Sequence, residues 1–349
     1  MIMQISKGKN LEVNLFKSII CYMNNKLPEP LVSIIIPTYN RIGYLQQAIT
    51  SAVAQTYQNI EIIVSDNCSE ENPQALVAAF NDPRIKFYRH PENIGMLGNQ
   101  FHGFKIATGK YVASLHDDDM WDEDFLSKLV PHLEANSHLI LAFCDQYIMD
   151  SDSKINIAAT EQNTRSYKRD KIAEGIHKNF TKMGLVDKSI PTAAACVIRN
   201  DMINWNLIPS EVGGMWDLYL TYVCCLSGYG VYYVPEKLTK YREHEQTDTM
   251  LSGRRSIQAK IRKAKSEIFC YQIFMKDKNL QEFHQHFKKL LLTANTTLGI
   301  GLLLDQQIAA ARPYFWQTLR EQKFNLRTLV ALALSFIPPM ITRKILKVA

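Results

Sequence analysis

The densest chemistry in the chain lies in Tyr111-Val-Ala-Ser-Leu-His-Asp-Asp-Asp-Met-Trp121. An apolar run, Tyr111 to Leu115, follows the turn signal Thr108-Gly109-Lys110 and reads as a buried strand. It delivers His116 and then three consecutive carboxylates, Asp117, Asp118 and Asp119. Adjacent like charges repel, and a strand end is a poor place to leave them unneutralised. A hard divalent cation, Mn2+ or Mg2+, would offset that repulsion through oxygen ligands, and such an ion commonly bridges carboxylates to substrate phosphates. The competing reading is a solvated acidic loop ahead of a helix starting near Asp122 or Glu123, where acids suit the helix dipole. The elements that position these residues bear on the choice.

Strands and helices alternate through the first part of the chain. Leu31-Val-Ser-Ile-Ile-Ile36 is β-branched and apolar throughout, as in a strand buried on both faces, and Pro37-Thr-Tyr-Asn40 breaks it. A helix follows from about Arg41, with Ile42, Leu45, Ile49 and Val53 at helical spacing and Asn40 as its N-cap. Residues 60–64 form the second strand, and Ser65-Asp-Asn-Cys-Ser-Glu-Glu71 is its terminal loop. Asn72-Pro73 starts a short helix, residues 85–88 form the third strand, and Asn93-Ile-Gly95 opens a helix closed by Gly109. This alternation implies βαβ units, a mostly parallel Rossmann-like sheet and an α/β fold, with ligands bound outside the carboxyl ends of the strands. Tyr39 and Asn40, Asp66, and Asp117 to Asp119 all follow strands, so three loops converge on one edge. No GxGxxG follows the first strand, which argues against a dinucleotide-dependent dehydrogenase.

Residues 31–125 resemble the nucleotide-binding half of the family 2 glycosyltransferases, enzymes of the GT-A fold. The resemblance lies in the strand ending Pro-Thr-Tyr-Asn, in "VSDNCSEE", in "ENIG" before the "ATGKY" turn, and in "LHDDD". It implies an inverting, metal-dependent transfer from a nucleotide-diphosphate sugar, UDP- or dTDP-linked, to a glycan or lipid-linked saccharide in cell-surface polysaccharide synthesis. Pro37, Thr38, Tyr39, Asn40, Asn93 and Arg242 would then contact the nucleotide sugar, and Asp66 would accept a hydrogen bond from the base imide. Asp117 would face ribose or diphosphate, Asp118 would ligate the metal with Asp119 as the other register, and His244 would be a further ligand or phosphate donor. Trp216-Asp217 keeps the aspartate of the family's Glu-Asp pair, which makes Asp217 the candidate general base. Glu70 and Glu71 stand where the family usually has Thr-Asp.

After Asp150 the pattern loosens. Residues 151–180 read as polar and irregular, with a basic cluster at Arg165, Lys168, Arg169 and Lys171; residues 192–198 return to the sheet. Leu218 to Leu226 is helical, residues 231–234 form a strand, and Tyr241-Arg-Glu-His244 resembles the family's Tyr-Arg-x-His segment. The expected organisation is a leader over 1–30, a GT-A domain over 31–252 divided near residue 125 into donor and acceptor halves, and a basic helical C-terminal extension over 253–349. Two long amphipathic helices fill residues 253–304.

Charge divides along the same line. From Gly253 onward there are 17 Lys and Arg against 5 Asp and Glu; the preceding residues carry 23 against 29. An acidic body with a basic tail implies different partners for the two parts. The apolar stretch Leu329 to Ile341 is too short to span a bilayer, which requires ~20 residues. Within basic residues 326–347 it suits an interfacial segment on an anionic membrane surface, or a helix packed on the protein itself. The first 30 residues lack the unbroken apolar core and cleavage site of a secretory signal, and seven cysteines without a CxxC pair fit reduced thiols. These features imply a cytoplasmic protein, peripheral on the inner face of the cell membrane. No nucleic-acid motif accompanies the basic helices. Two other readings compete, a non-catalytic GT-A module and a sugar nucleotidyltransferase. The latter calls for a glycine-rich basic loop where Pro37-Thr-Tyr-Asn40 stands.

Overall fold

The computed structural model describes residues 29–244, 256–322 and 324–337. In chain order the first half of the sheet region runs β1 (Val32–Thr38), α1 (Ile42–Val53), β2 (Ile60–Asp66), α2 (Gln74–Ala79), β3 (Ile85–Arg89), α3 (Gly95–Ile106) and β4 (Tyr111–Ser114). Then come β5 (Met120–Trp121), α4 (Phe125–Ala135), β6 (Leu139–Met149), α5 (Ile157–Ser166), β7 (Gly175–His177), β8 (Cys196–Arg199), α6 (Trp216–Leu226) and β9 (Gly230–Arg242). Four helices follow: α7 (Ile257–Lys276), α8 (His284–Leu304), α9 (Ile308–Glu321) and α10 (Leu326–Leu334). The fold is α/β of the GT-A type, one central sheet flanked by helices with a helical C-terminal region.

Strands β3-β2-β1-β4 are parallel neighbours. Every residue of β2 is buried, which is why it reads as a continuous apolar run rather than an alternating one. Beyond β4 the sheet becomes mixed. β8 runs antiparallel between β4 and β6, and β9 lies parallel to β6 and carries β5 and β7 antiparallel on it. Buried side chains form one cluster on each face of the sheet and a third among the C-terminal helices.

Several sequence expectations need correction. β1 continues through Pro37 to Thr38. The carbonyl of Ile35 accepts from Leu115 on the β4 side, so Pro37, two residues on, turns its missing N–H past the end of β4. Asn40 does not cap α1, whose N-cap is Arg41 without a side-chain bond. With φ of 54°, Asn40 instead donates its N–H to Ser69 Oγ at 2.8 Å and accepts from Glu70 N at 2.8 Å, stapling the β2 loop. Gly109 does not close α3. A Cβ there would stand 2.7 Å from Ser33 N, so its glycine permits close approach to β1. The eleven-residue β6 was not anticipated, and residues 151–180 contain α5, capped by Asn156 accepting from Ala159 N. Arg169 of the expected surface cluster is buried and paired with Asp145 at 2.6 Å.

The C-terminal helices are docked. α10 buries Ala331, Leu332 and Leu334 in the cluster formed by α7, α8 and α9, while Leu326, Leu329 and Val330 remain exposed. Trp316, Phe324 and Phe336 are exposed beside them. No helix among the described residues is long and apolar enough to cross a membrane. The expected leader through Pro28, Arg254 and Arg255 of the basic helix, and the tail from Pro338 lie outside the described residues.

One buried carboxylate joins the parallel strands. Glu61 on β2 accepts from Ser33 Oγ at 2.5 Å, Thr108 N at 2.7 Å and Lys86 Nζ at 2.6 Å. Burial alone would raise its pKa, but the Lys86, Ser33 and Thr108 hydrogen bonds outweigh it and hold the group down to about 2. Replacing Glu61 by Gln should lower stability at neutral pH by roughly 1.5–3 kcal/mol, the range for hydrogen bonds to charged groups. A depressed carboxylate contributes above its unfolded pKa and loses that contribution as pH falls, so the deficit should shrink between about pH 4.5 and pH 2. Urea unfolding of both proteins at pH 7 and pH 2.5 checks this; an equal deficit at both would rule out the charge as its source.

Candidate functional site

The site is built from strand register. Thr38 pairs with Asp66 across β1 and β2, and Asp66 pairs with Arg89 across β2 and β3. These residues therefore stand in a row at the carboxyl edge of the sheet. Asp66 is fully buried, with Oδ1 accepting from Ser69 Oγ at 2.5 Å and Oδ2 paired with Arg89 Nη1 at 2.7 Å. Both oxygens thus brace the β2 loop and the adjacent strand from within the protein. Beside it a cavity of about 230 Å³ is lined by Thr38, Asn40, Arg41, Ser69, Glu70 and Glu71. Asn93 closes the neighbouring loop, its Oδ1 accepting from Gly95 N at 2.9 Å and Asn67 Nδ2 at 3.0 Å. Tyr39 is exposed at the same edge, and Pro37 is half-buried beneath it.

All three aspartates are buried. Asp117 Oδ2 accepts from Thr38 Oγ1 at 2.8 Å and Tyr39 N at 3.4 Å, and Arg41 Nη1 lies 3.1 Å from its Oδ1. The Asp118 Oδ2 atom meets the same Arg41 nitrogen at 2.7 Å and His244 Nε2 at 3.0 Å. Asp119 accepts from Arg242 N at 2.8 Å through Oδ1, while its buried Oδ2 has no hydrogen-bond partner among the described residues. Ligand atoms of His116, Asp118 and Asp119 all lie within 4.8 Å of one another. This donor set and the orphaned Oδ2 fit a hard divalent cation. His116 completes the trio although the sequence reading did not count it a ligand, whereas His244 donates to Asp118.

Arg242, expected among the nucleotide contacts, is a correction. It is 1% exposed, and its head is committed to the protein. Nε donates to Asp118 O at 2.6 Å, Nη1 to Ser153 Oγ at 2.8 Å and Nη2 to Gln47 Oε1 at 2.7 Å, with Tyr44 under the guanidinium at 4.5 Å. It fixes the backbone of the aspartates against α1 and the turn after β6. Arg41, which the sequence reading passed over, is the arginine that reaches the carboxylates. Its signal was there, one residue after Pro37-Thr-Tyr-Asn40.

Asp217 begins α6 after a turn, Ser210–Met215, in which Gly213 has φ of 45°. It is half-buried, Oδ1 accepts from Leu218 N at 2.7 Å, and it lies within electrostatic reach of Lys188 and His116. Burial holds its carboxyl above the ordinary range against the pull of those cationic groups. Such a group is a stronger base than a surface aspartate.

The aspartates differ among themselves. Burial and the neighbouring Asp118 charge push Asp117 up to about 6 and Asp119 well above the usual range. For Asp118 burial pulls upward, but the His244 hydrogen bond and the Arg41 charge prevail and hold it low. A raised carboxylate favours the folded state while protonated there and ionised in the unfolded chain, so this contribution falls as pH rises from about 4 to about 6. Relative to Asp117→Asn, the metal-free wild type should lose on the order of 2–3 kcal/mol across that window. Melts of both proteins at pH 4, 5, 6 and 7 read it out, and parallel curves would refute the assignment.

Residues 33–192 match the model of glycosyl transferase family 2. A Haemophilus influenzae protein named an uncharacterized glycosyltransferase is 28% identical over 250 residues, covering 70% of this chain and 75% of its own. The chain spans 45% and 41% of the length of two further curated relatives, each 33% identical where they align. Among solved structures, S. aureus TarS 1-349 in complex with UDP-GlcNAc superposes with a TM-score of 0.58 at 14% identity, over 90% of each chain. The mannosyltransferase PcManGT of Pyrobaculum calidifontis, in complex with GDP-Man and Mn2+, gives 0.52 at 15% identity over 92% of this chain and 88% of its own. At those identities the structural likeness establishes the fold alone. Residues 33–192 thus match glycosyl transferase family 2, and the chain has the GT-A fold.

Proposed function

We propose that the chain transfers a sugar, with inversion, from a UDP- or dTDP-linked donor to a hydroxyl of a glycan or lipid-linked saccharide in cell-surface polysaccharide synthesis. The observation that carries the reading is the buried Asp119 Oδ2, 4.0 Å from His116 Nδ1 and without a hydrogen-bond partner among the described residues, within a His116–Asp118–Asp119 trio beside a cleft of about 230 Å³. Complexes of structural neighbours with UDP-GlcNAc and with GDP-Man and Mn2+ support a nucleotide-sugar donor and a divalent ion. Glu70, Glu71 and Ser69 give the cleft acceptors for base and ribose donors, and Asp66 holds Ser69 in place. Mn2+ or Mg2+ held by Asp118 and Asp119 with His116 would act as a Lewis acid toward the leaving diphosphate.

In this mechanism Asp217 accepts the acceptor's hydroxyl proton as that oxygen bonds to the anomeric carbon. The bond to the diphosphate oxygen breaks in the same displacement, and its electron pair leaves with the nucleoside diphosphate. One base and no covalent nucleophile suffice. His244 keeps Asp118 ionised, and Arg242 keeps the three carboxylates on one backbone geometry. The turnover assay is UDP release from UDP-sugars with Mn2+. Asp217→Asn should reduce it by about 10²–10⁴-fold, the usual worth of a general base, and leave UDP affinity intact. Asp118→Ala should abolish the Mn2+-dependent gain in UDP affinity with an unchanged melt. Full turnover in Asp217→Asn, or an undiminished Mn2+ effect in Asp118→Ala, would sink the corresponding role.

The second part of the proposal is peripheral attachment to an anionic membrane at its cytoplasmic face. Its support is the exposed set Trp316, Phe324, Leu326 and Phe336 in a region rich in lysine and arginine. Because α10 also packs on α8 and α9, deleting it would confound attachment with folding. A Trp316→Ser, Phe324→Ser, Leu326→Ser variant avoids this. It should lose salt-sensitive binding to phosphatidylglycerol vesicles, where each partly inserted apolar group and nearby cation contributes roughly 1 kcal/mol, and keep its melt. Equal sedimentation of variant and wild type with vesicles would count against membrane contact.

A further inference from the structure

The aspartates hold a cation that the proposed chemistry has not yet used. Arg41, at the mouth of α1, brings one nitrogen, Nη1, to 3.1 Å from Asp117 Oδ1 and 2.7 Å from Asp118 Oδ2. A single positive atom bridging two adjacent carboxylates sits where charge neutralisation is needed most. Arg242 cannot share this task by moving, because it is buried and tied to Gln47, Ser153 and the Asp118 carbonyl. The Arg41 side chain keeps 24% of its surface exposed and lines the cleft with Thr38, Asn40 and Ser69. It therefore stands on the border between the carboxylates and the cleft.

We propose that Arg41 is a tethered counter-ion, which neutralises Asp117 and Asp118 until a divalent cation binds and then turns onto the donor's diphosphate. The inference rests on the metal-dependent donor reading above. A doubly charged ion on Asp118 and Asp119 would stand beside the guanidinium, and like charges at that spacing repel strongly in a buried site. The same ion removes the reason for the guanidinium to stay, because it neutralises the carboxylates itself. A diphosphate arriving at the ion offers new acceptors, and the planar guanidinium fork matches phosphate oxygens in pairs. Arg41 thus becomes a donor-binding residue of this site, and the movement couples metal uptake to diphosphate capture without any covalent step.

The two roles have opposite signs, which separates them from a merely structural arginine. Removing the guanidinium should ease metal binding to the empty protein and weaken nucleotide binding to the metal-loaded one. Calorimetric titration of MnCl2 into wild type, Arg41→Ala and Arg41→Gln, without nucleotide, should show about 5-fold or tighter Mn2+ binding in both variants. UDP titrated at saturating Mn2+ should bind roughly 10-fold or more weakly to both, the equivalent of a lost charge-assisted hydrogen bond, while uridine is unaffected. Two variants, each checked for a cooperative melt, guard against a folding artefact. Unchanged or weaker Mn2+ binding in the folded variants overturns the counter-ion role, and unchanged UDP binding overturns the phosphate role. Should no protein take up Mn2+ even with UDP, the metal assignment itself fails and the counter-ion role falls with it. UDP titration without metal then still decides whether Arg41 holds phosphate.

Discussion

Three buried carboxylates in succession are the constraint around which the molecule is arranged. They cannot all be ionised in a low-dielectric environment without opposing charge, and they cannot be moved apart, because they share one stretch of backbone. The fold answers with cationic and imidazole groups from three directions. Arg41 comes from the start of α1, His116 from the same loop, and Arg242 with His244 from the end of β9. The answer is incomplete, since Asp117 and Asp119 remain raised and one oxygen of Asp119 has no hydrogen-bond partner among the described residues. The proposed cation would complete that answer.

The sheet makes that arrangement possible through length and register. β4 is short and stops opposite Ile35, while β1 runs on to Thr38, so the chain leaving β4 turns under the Thr38 hydroxyl. β9 is the longest strand, and its far end pairs with Met149 and brings Arg242 back beside Asp119. A slip of one residue in either pairing would turn the alternating side chains to the other face and separate the cations from the acids. The Thr38–Asp66–Arg89 row obeys the same logic at the neighbouring strand ends.

Much of this was legible in the residues. The parallel half announces itself in β-branched runs separated by helical spacing, and the strand-end residues fall on one edge by the rule that governs all such sheets. What stayed hidden depended on long-range pairing. Nothing local in Arg242 says that its head is spent on Gln47 and Ser153, which are far from it in sequence. Nothing local in Asp66 reveals that Arg89 will arrive from the adjacent strand. β6 was missed because the buried Asp145 and Gln146 interrupt its apolar run, and helix α5 because its polar surface hides a single buried Thr160. Asn40 looked like an N-cap by type and position; its left-handed backbone sends the side chain to the β2 loop instead.

The C-terminal helices bear on the chemistry through packing rather than charge. Gly213, just before the Asp217 helix, has backbone angles that side chains rarely adopt, and a Cβ there would stand 2.3 Å from Ser266 Oγ of α7. Cys270, Tyr271 and Phe274 of the same helix share a core with Val212, Met215 and Trp216 on either side of that turn. The turn carrying the proposed base is therefore clamped between the sheet domain and α7, and α7 in turn packs on α8. A base that must meet an acceptor hydroxyl within hydrogen-bond reach needs a fixed backbone. The basic helical region supplies that fixity from the face that α7 turns to the sheet. The two halves of the charge division seen in the sequence are thus mechanically joined at the turn before Asp217.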